Sequence, residues 1–250
     1  MKTRIFLLSV CLFLGFGLTS CHKNEMSGKV SITFSFTFNR EPLVFGNKDY
    51  TIASGNTVRI ANIQYFISDP VFVEQSGGYR QKRRGFQKES NRIHYVDSDL
   101  PATLKWEIDE PLQAGIYDYV EFVYGLDSAY NHTGLFLNAP ESLMFWPESM
   151  GGGYHHLKLN GWYAQNAGDT AFYPFGFHAG TDTNAVHLRD TLRLFLTDGL
   201  TKSLNLNMEV ANWFEKPNVW DFGKFGGSVM QNMEAQRIIK ENVHDVFSIQ

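Results

Sequence analysis

Between Met144 and Tyr163 the chain reads Met144-Phe-Trp146-Pro-Glu-Ser-Met150-Gly-Gly-Gly-Tyr-His155-His156-Leu-Lys158-Leu-Asn160-Gly-Trp162-Tyr163. Paired Trp, paired Met and two adjacent His crowd together there, a mixture that a packed core does not need. Imidazoles are metal donors or proton carriers, thioethers are soft donors, and indoles stack or hydrogen-bond. Adjacent residues on a strand point to opposite faces, so at most one of His155 and His156 can serve a given site. Alternation groups His155 with Leu157 and Leu159, and His156 with Tyr154, Lys158 and Asn160. His178 ends the aromatic run Tyr173-Pro-Phe-Gly-Phe-His178-Ala-Gly180, where a glycine turn can present a side chain at a cleft.

The other histidines are weaker candidates. His94 lies in the short strand Ile93-His-Tyr-Val-Asp97, where a half-buried sheet position is the simpler reading. His132 sits in a polar loop, His187 could face either way, and His22 and His244 read as solvated. No G-x-S-x-G elbow, H-E-x-x-H or Walker-type loop is present. Gly151-Gly-Gly153 is not followed by Lys-Ser/Thr and opens no helix, so it is no phosphate cradle. A hydrolase built from Asp127, His132 or Glu148 has no motif to support it.

These side chains must be positioned by strands. Val30 to Phe38 alternates apolar and polar residues, and Thr57 to Ser68 begins the same way before Ser68-Asp69-Pro70 ends or bends it. Further strands are expected at Tyr119–Tyr124, Tyr154–Tyr163, Ala171–Phe177, Thr191–Leu196 and Leu204–Glu209, separated by Gly and Asn/Asp clusters. Ser228 to Asn242 has helical periodicity, and Asp127 to Asn131 can form one helical turn. The pattern predicts an all-β fold: one antiparallel β-sandwich or open barrel with a single C-terminal amphipathic helix. Asn166-Ala-Gly-Asp169 is the turn signal between the two His-bearing strands, and it places His178 opposite roughly Leu157. Cross-strand neighbours lie about 5 Å apart and diagonal ones about 7–8 Å. One residue of register therefore decides whether His155 and His178 converge.

The chain has 250 residues, 43% hydrophobic and 15% aromatic, with formal charge −4. That suits a packed core and argues against nucleic acid as a partner. The basic run Arg80-Gln-Lys-Arg-Arg84, beside Gly77-Gly78, reads as a solvated turn. Lys2 and Arg4 precede an apolar stretch from Ile5 to Leu18, which ends in Leu18-Thr-Ser-Cys21. This is a signal peptide closed by a lipobox-like sequence. It predicts residues 1–20 as signal peptide, a lipidated Cys21 with a tether to residue 29, and one domain over 30–250. The membrane is then a partner through a lipid anchor. Cys11 would leave with the signal and Cys21 would carry lipid, so the mature domain has no thiol for catalysis or metal binding.

Taken in order, Ile63-Gln-Tyr-Phe-Ile-Ser68, Ile93-His-Tyr-Val-Asp97, Ala114-Gly-Ile-Tyr117, Phe122-Val-Tyr-Gly-Leu-Asp-Ser128, Met144-Phe-Trp146, Gly153-Tyr-His-His-Leu-Lys-Leu-Asn-Gly161 and Gly176-Phe-His-Ala-Gly-Thr181 resemble the MbnP-like family. These are the methanobactin-associated copper-binding proteins and their lipoprotein relatives in Bacteroidetes-type bacteria. The resemblance runs from about Val30 to the C-terminus. It implies a β-rich domain outside the cytoplasm, on the outer membrane and facing the periplasm or the surface, that binds copper for acquisition or storage and is not an enzyme. In related proteins two imidazoles and a kynurenine made from Trp hold the ion, and a dihaem cytochrome peroxidase-like partner is implicated in making it. Carried onto this chain, the resemblance assigns Trp146 as the oxidisable residue, His178 and His155 as ligands, and His94 as a reserve. Met144 and Met150 are nearby thioethers that could assist Cu(I). The chain departs from the family pattern at His156 (usually Phe), Asn160 (usually Glu) and Ala179 (usually Leu or Ile). Trp146 is followed by Pro147-Glu148 where methanotroph members usually read Trp-x-Trp. The alternative function is a metal-free surface module that recognises a glycan or protein through an aromatic platform of Trp146, Tyr154, Trp162 and Tyr163.

Overall fold

The computed structural model describes residues 26–76, 79–84 and 92–250. The expected signal peptide, Cys21, the first half of the tether and Gly77-Gly78 lie outside them, while residues 27–29, expected as tether, already belong to the first strand. Two sheets pack face to face as a β-sandwich, the first of the two expected architectures. The larger sheet runs in the order Tyr173–Gly180, His155–Ala164, Thr57–Ser76, Gly115–Tyr124, Val186–Leu196. Its spine is Thr57–Ser76, which pairs with the His155 strand over its first half and with Gly115–Tyr124 over its second. Ser68-Asp69-Pro70 bends this strand without ending it. The register slips between Ser68 and Val71, Asp69 takes φ 48°, and Ser68 Oγ donates to the buried Gly125 carbonyl at 2.8 Å.

The smaller sheet centres on Ser27–Phe38, where Val30, Ile32 and Phe34 face the core. Its neighbour Thr201–Glu209 runs parallel to it, a departure from the antiparallel expectation. A ladder of polar side chains fixes this register. Ser35 donates to Asn207 at 2.9 Å, Asn207 donates to Thr37 at 2.7 Å, and Thr37 donates to Glu209 at 3.0 Å. The basic run is also corrected: Tyr79–Arg84 is a strand paired with the far end of the spine, not a turn.

The C-terminal helix forms over Met233–Val246, starting later than its periodicity predicts. Asn232 caps it, accepting from the Ala235 N–H at 3.1 Å, while Ser228 is drawn into a bridge with Gly176. Two short helical segments that the sequence does not announce, Asn212–Glu215 and Phe222–Phe225, carry Trp213, Phe214 and Phe222 into the core.

Candidate metal centre

His155–Ala164 and Tyr173–Gly180 form the expected hairpin, with two differences in register. Lys158, not Leu157, stands opposite His178, and the pairing slips between His155 and Leu157. That bulge at His156 corrects the grouping by alternation. One extra residue reverses the parity, so His155 joins the face of Lys158 and His178 instead of that of Leu157 and Leu159. The two imidazoles meet edge to face, with ring centroids 5.4 Å apart. His156 goes the other way, into the space left by Gly125, where a Cβ would lie 2.3 Å from its Nδ1.

The hydrogen bonds fix the tautomers. His156 is satisfied at both nitrogens. Nε2–H donates to the Thr181 carbonyl at 2.7 Å, and Nδ1 accepts from the Leu126 N–H at 3.0 Å. In His155, Nδ1 faces the Met144 carbonyl at 2.9 Å, and a carbonyl only accepts, so Nδ1 carries the proton. Its Nε2 is left buried with a lone pair and no partner. In His178, Nε2 faces Asn160 Oδ1 at 2.7 Å. The Asn160 amide nitrogen is committed to Asn62 Oδ1 at 2.9 Å, so its oxygen must accept and His178 Nε2 must donate. That leaves Nδ1 as the lone-pair nitrogen of His178.

Burial keeps both rings neutral. Burial first, and the nearby Lys158 ammonium after it, push His155 and His178 down to about 4. The bond to the Met144 carbonyl opposes the shift at His155. Burial also lowers Lys158, whose Nζ donates to the Leu143 carbonyl at 2.7 Å. Trp146 closes the site, with its indole 4.7 Å from the His155 ring, edge to face. Trp146 is 2% exposed, and its Nε1–H donates to the Met150 carbonyl at 3.0 Å. Gly180 makes room for it, since a Cβ there would sit 2.3 Å from the indole Cε3.

The remaining candidates are not brought to this point. The ring of His94 is stacked between Phe34 and Trp106, at 5.2 and 5.0 Å, and its Nε2–H donates to the Thr103 carbonyl. That imidazole fills an aromatic slot of the core. Asp127 faces His187 at 3.6 Å, Glu148 lies against Gly152, and His132 lines a different cavity from Asp127. No hydrolytic set assembles from them. Of the expected aromatic platform, Trp146, Tyr154 and Tyr163 are buried and Trp162 alone is well exposed. Among the described residues no group of three or more His, Cys, Asp or Glu gathers that could hold a metal ion. The candidate donors that the hairpin gathers are the two imidazoles, beside Trp146.

Sequence reasoning did not foresee Gly180 or the clamp behind it. Asn184 donates to the Gly180 carbonyl, and Gln236 on the C-terminal helix donates to the His178 carbonyl at 2.8 Å. The glycines flanking His178 were the available signal for a close approach.

Fold and site together define a β-sandwich protein that carries two neutral imidazoles on one hairpin, His155 lying edge to face with the Trp146 indole. The family profile of MbnP matches residues 27–231, and the chain belongs to that family. Its fold is similar to that of MbnP from Methylosinus trichosporium, with TM-score 0.53 and 13% identity over 89% of this chain and 98% of that one. At that identity the likeness speaks to the fold. A comparison with curated proteins returned no match.

Proposed function

We propose that this chain is a lipid-anchored copper-binding protein outside the cytoplasm, serving acquisition or storage and not turnover. The observation that carries the reading is the buried, unpartnered Nε2 of His155 beside His178. A buried acceptor without a partner costs about 1–3 kcal/mol, which a bound cation would recover. His155 Nε2 and His178 Nδ1 would hold the ion. Two neutral imidazoles suit copper, which heads the divalent affinity order. Asn160 orients His178 through its other nitrogen, the usual supporting arrangement for a ligating histidine.

Trp146 is the candidate third ligand after oxidation to kynurenine, whose carbonyl and aromatic amine carry lone pairs that the indole, with its Nε1–H given to the Met150 carbonyl, lacks. That conversion adds two oxygen atoms across the indole C2–C3 bond, cleaves it, and loses C2 as formate on hydrolysis. Two equivalents of hydrogen peroxide would be the oxidant, each giving one oxygen atom and leaving as water, with a dihaem cytochrome peroxidase-like partner as the catalyst. An anchor through Cys21 to the outer membrane is part of the same reading, and the apolar stretch before Cys21, which fits a cleaved signal peptide, supports it.

Copper titration of the purified, metal-free protein tests the proposal. One high-affinity equivalent is expected, lost in His178→Ala and in His155→Ala. Unchanged uptake in both variants would remove the ligand assignment, and no uptake by the native chain would remove the function. Peptide mass spectrometry of the Trp146 segment from the native host reads the modification separately, as the exchange of one carbon for one oxygen.

A further inference from the structure

The chain places its methionines unevenly. Met144 and Met208 are core residues, 1% and 0% exposed. Met150, Met230 and Met233 instead line one solvent-open cavity of about 480 Å³, whose wall includes Trp146 and Gln236. Met150 and Met230 also line the adjoining cavity. Met233 is 88% exposed at the first position of the C-terminal helix, where an apolar side chain gains nothing from packing. The cavity is tied to the histidine hairpin. The Met150 carbonyl holds Trp146, and Gln236 holds the His178 carbonyl.

We propose that Met150, Met230 and Met233 form a second, separate metal site: a thioether-lined mouth that takes up a soft monovalent cation of the Cu(I) class. Thioethers are neutral, polarisable donors that favour such ions over hard or divalent ones. The surrounding charges sharpen that preference. Arg237 and Lys240 also line the cavity, Arg237 paired with Glu241 at 2.6 Å and Lys240 donating to the Thr183 carbonyl. With the Arg237 charge balanced by Glu241, the Lys240 charge opposes a divalent ion about twice as strongly as a monovalent one. The site goes beyond the imidazole pair in both atoms and chemistry, and it places a soft-ion foothold against the outer side of the Trp146 pocket.

Ag(I), a redox-inert stand-in for Cu(I), is the probe. The chain carrying Cys11→Ser and Cys21→Ser, which removes competing thiols, is labelled at its methionine methyls and titrated by NMR. The methyl signals of Met150, Met230 and Met233 are expected to shift together. Those of Met144, Met208 and Met26 should stay in place; Met26, 64% exposed, controls for mere accessibility. Zn(II) should leave all three cavity methyls unmoved. The triple variant Met150→Leu, Met230→Leu, Met233→Leu keeps volume and should weaken Ag(I) binding on the order of tenfold or more. The cavity shifts should survive in the His155→Ala, His178→Ala double variant, which separates this site from the imidazole reading. Cavity methyls that do not respond to Ag(I), or that move no more than Met26, would overturn the proposal, as would shifts that vanish with the histidines.

Discussion

At His155 the imidazole gives its protonated Nδ1 to the Met144 carbonyl and keeps Nε2 buried without a partner. A core position under selection for stability alone would be better filled by an apolar ring. His155→Phe is accordingly expected to abolish copper uptake while changing the unfolding free energy of the metal-free protein by no more than about 2 kcal/mol, since the orphaned nitrogen is removed while the Met144 carbonyl loses its donor. Chemical denaturation checks this, and a loss several times larger would mark His155 as structural. Asn160 acts one step further out. Asn160→Leu removes the acceptor that holds the His178 proton on Nε2 and should weaken copper binding roughly 10–100-fold. Asn160→Asp keeps an acceptor in place and should restore most of it. Isothermal titration of the two variants distinguishes loss of orientation from loss of packing.

The hairpin brings these residues together through a feature that no local pattern announces. Alternation and the Asn166–Asp169 turn located both strands and came within one residue of the register, because turn chemistry and periodicity are local properties. The bulge at His156 depends on the room beside Gly125, just past the end of the Gly115–Tyr124 strand and distant in sequence, so alternation alone assigns the two histidines to the wrong faces. The same limit applies to His94, whose aromatic slot is completed by Phe34 and Trp106 from elsewhere in the chain. The parallel pairing of Ser27–Phe38 with Thr201–Glu209 is equally non-local. Gly180 is the hairpin position that packs directly against Trp146, where a Cβ would lie 2.3 Å from the indole. Gly180→Ala puts a methyl into the Trp146 ring and should destabilise the protein by about 1–3 kcal/mol. It should also shift the Trp146 fluorescence and weaken copper binding; an unchanged melting temperature would show that the indole has room to move.

Across the whole sandwich, the buried imidazole pair ties stability to pH. Both histidines titrate near 4 when folded, against an ordinary value of 6.5. Between those limits the unfolded chain binds more protons, so stability rises with pH in that window. The metal-free protein should therefore lose stability as the pH falls from about 6.5 towards 4, and this component should level off below. In the His155→Phe, His178→Phe double variant the slope should flatten, as urea unfolding across that range can show. The family match and the two-sheet fold give the scaffold, and the tautomers give the direction in which its lone pairs are offered. The most direct test is an anomalous difference map at the copper edge from crystals of the copper-loaded protein. The account predicts one dominant peak bonded to His155 Nε2 and His178 Nδ1, with Asn160 still accepting from His178 Nε2. A dominant peak away from both imidazoles, or one bonded to His178 Nε2 with Asn160 displaced, would contradict it.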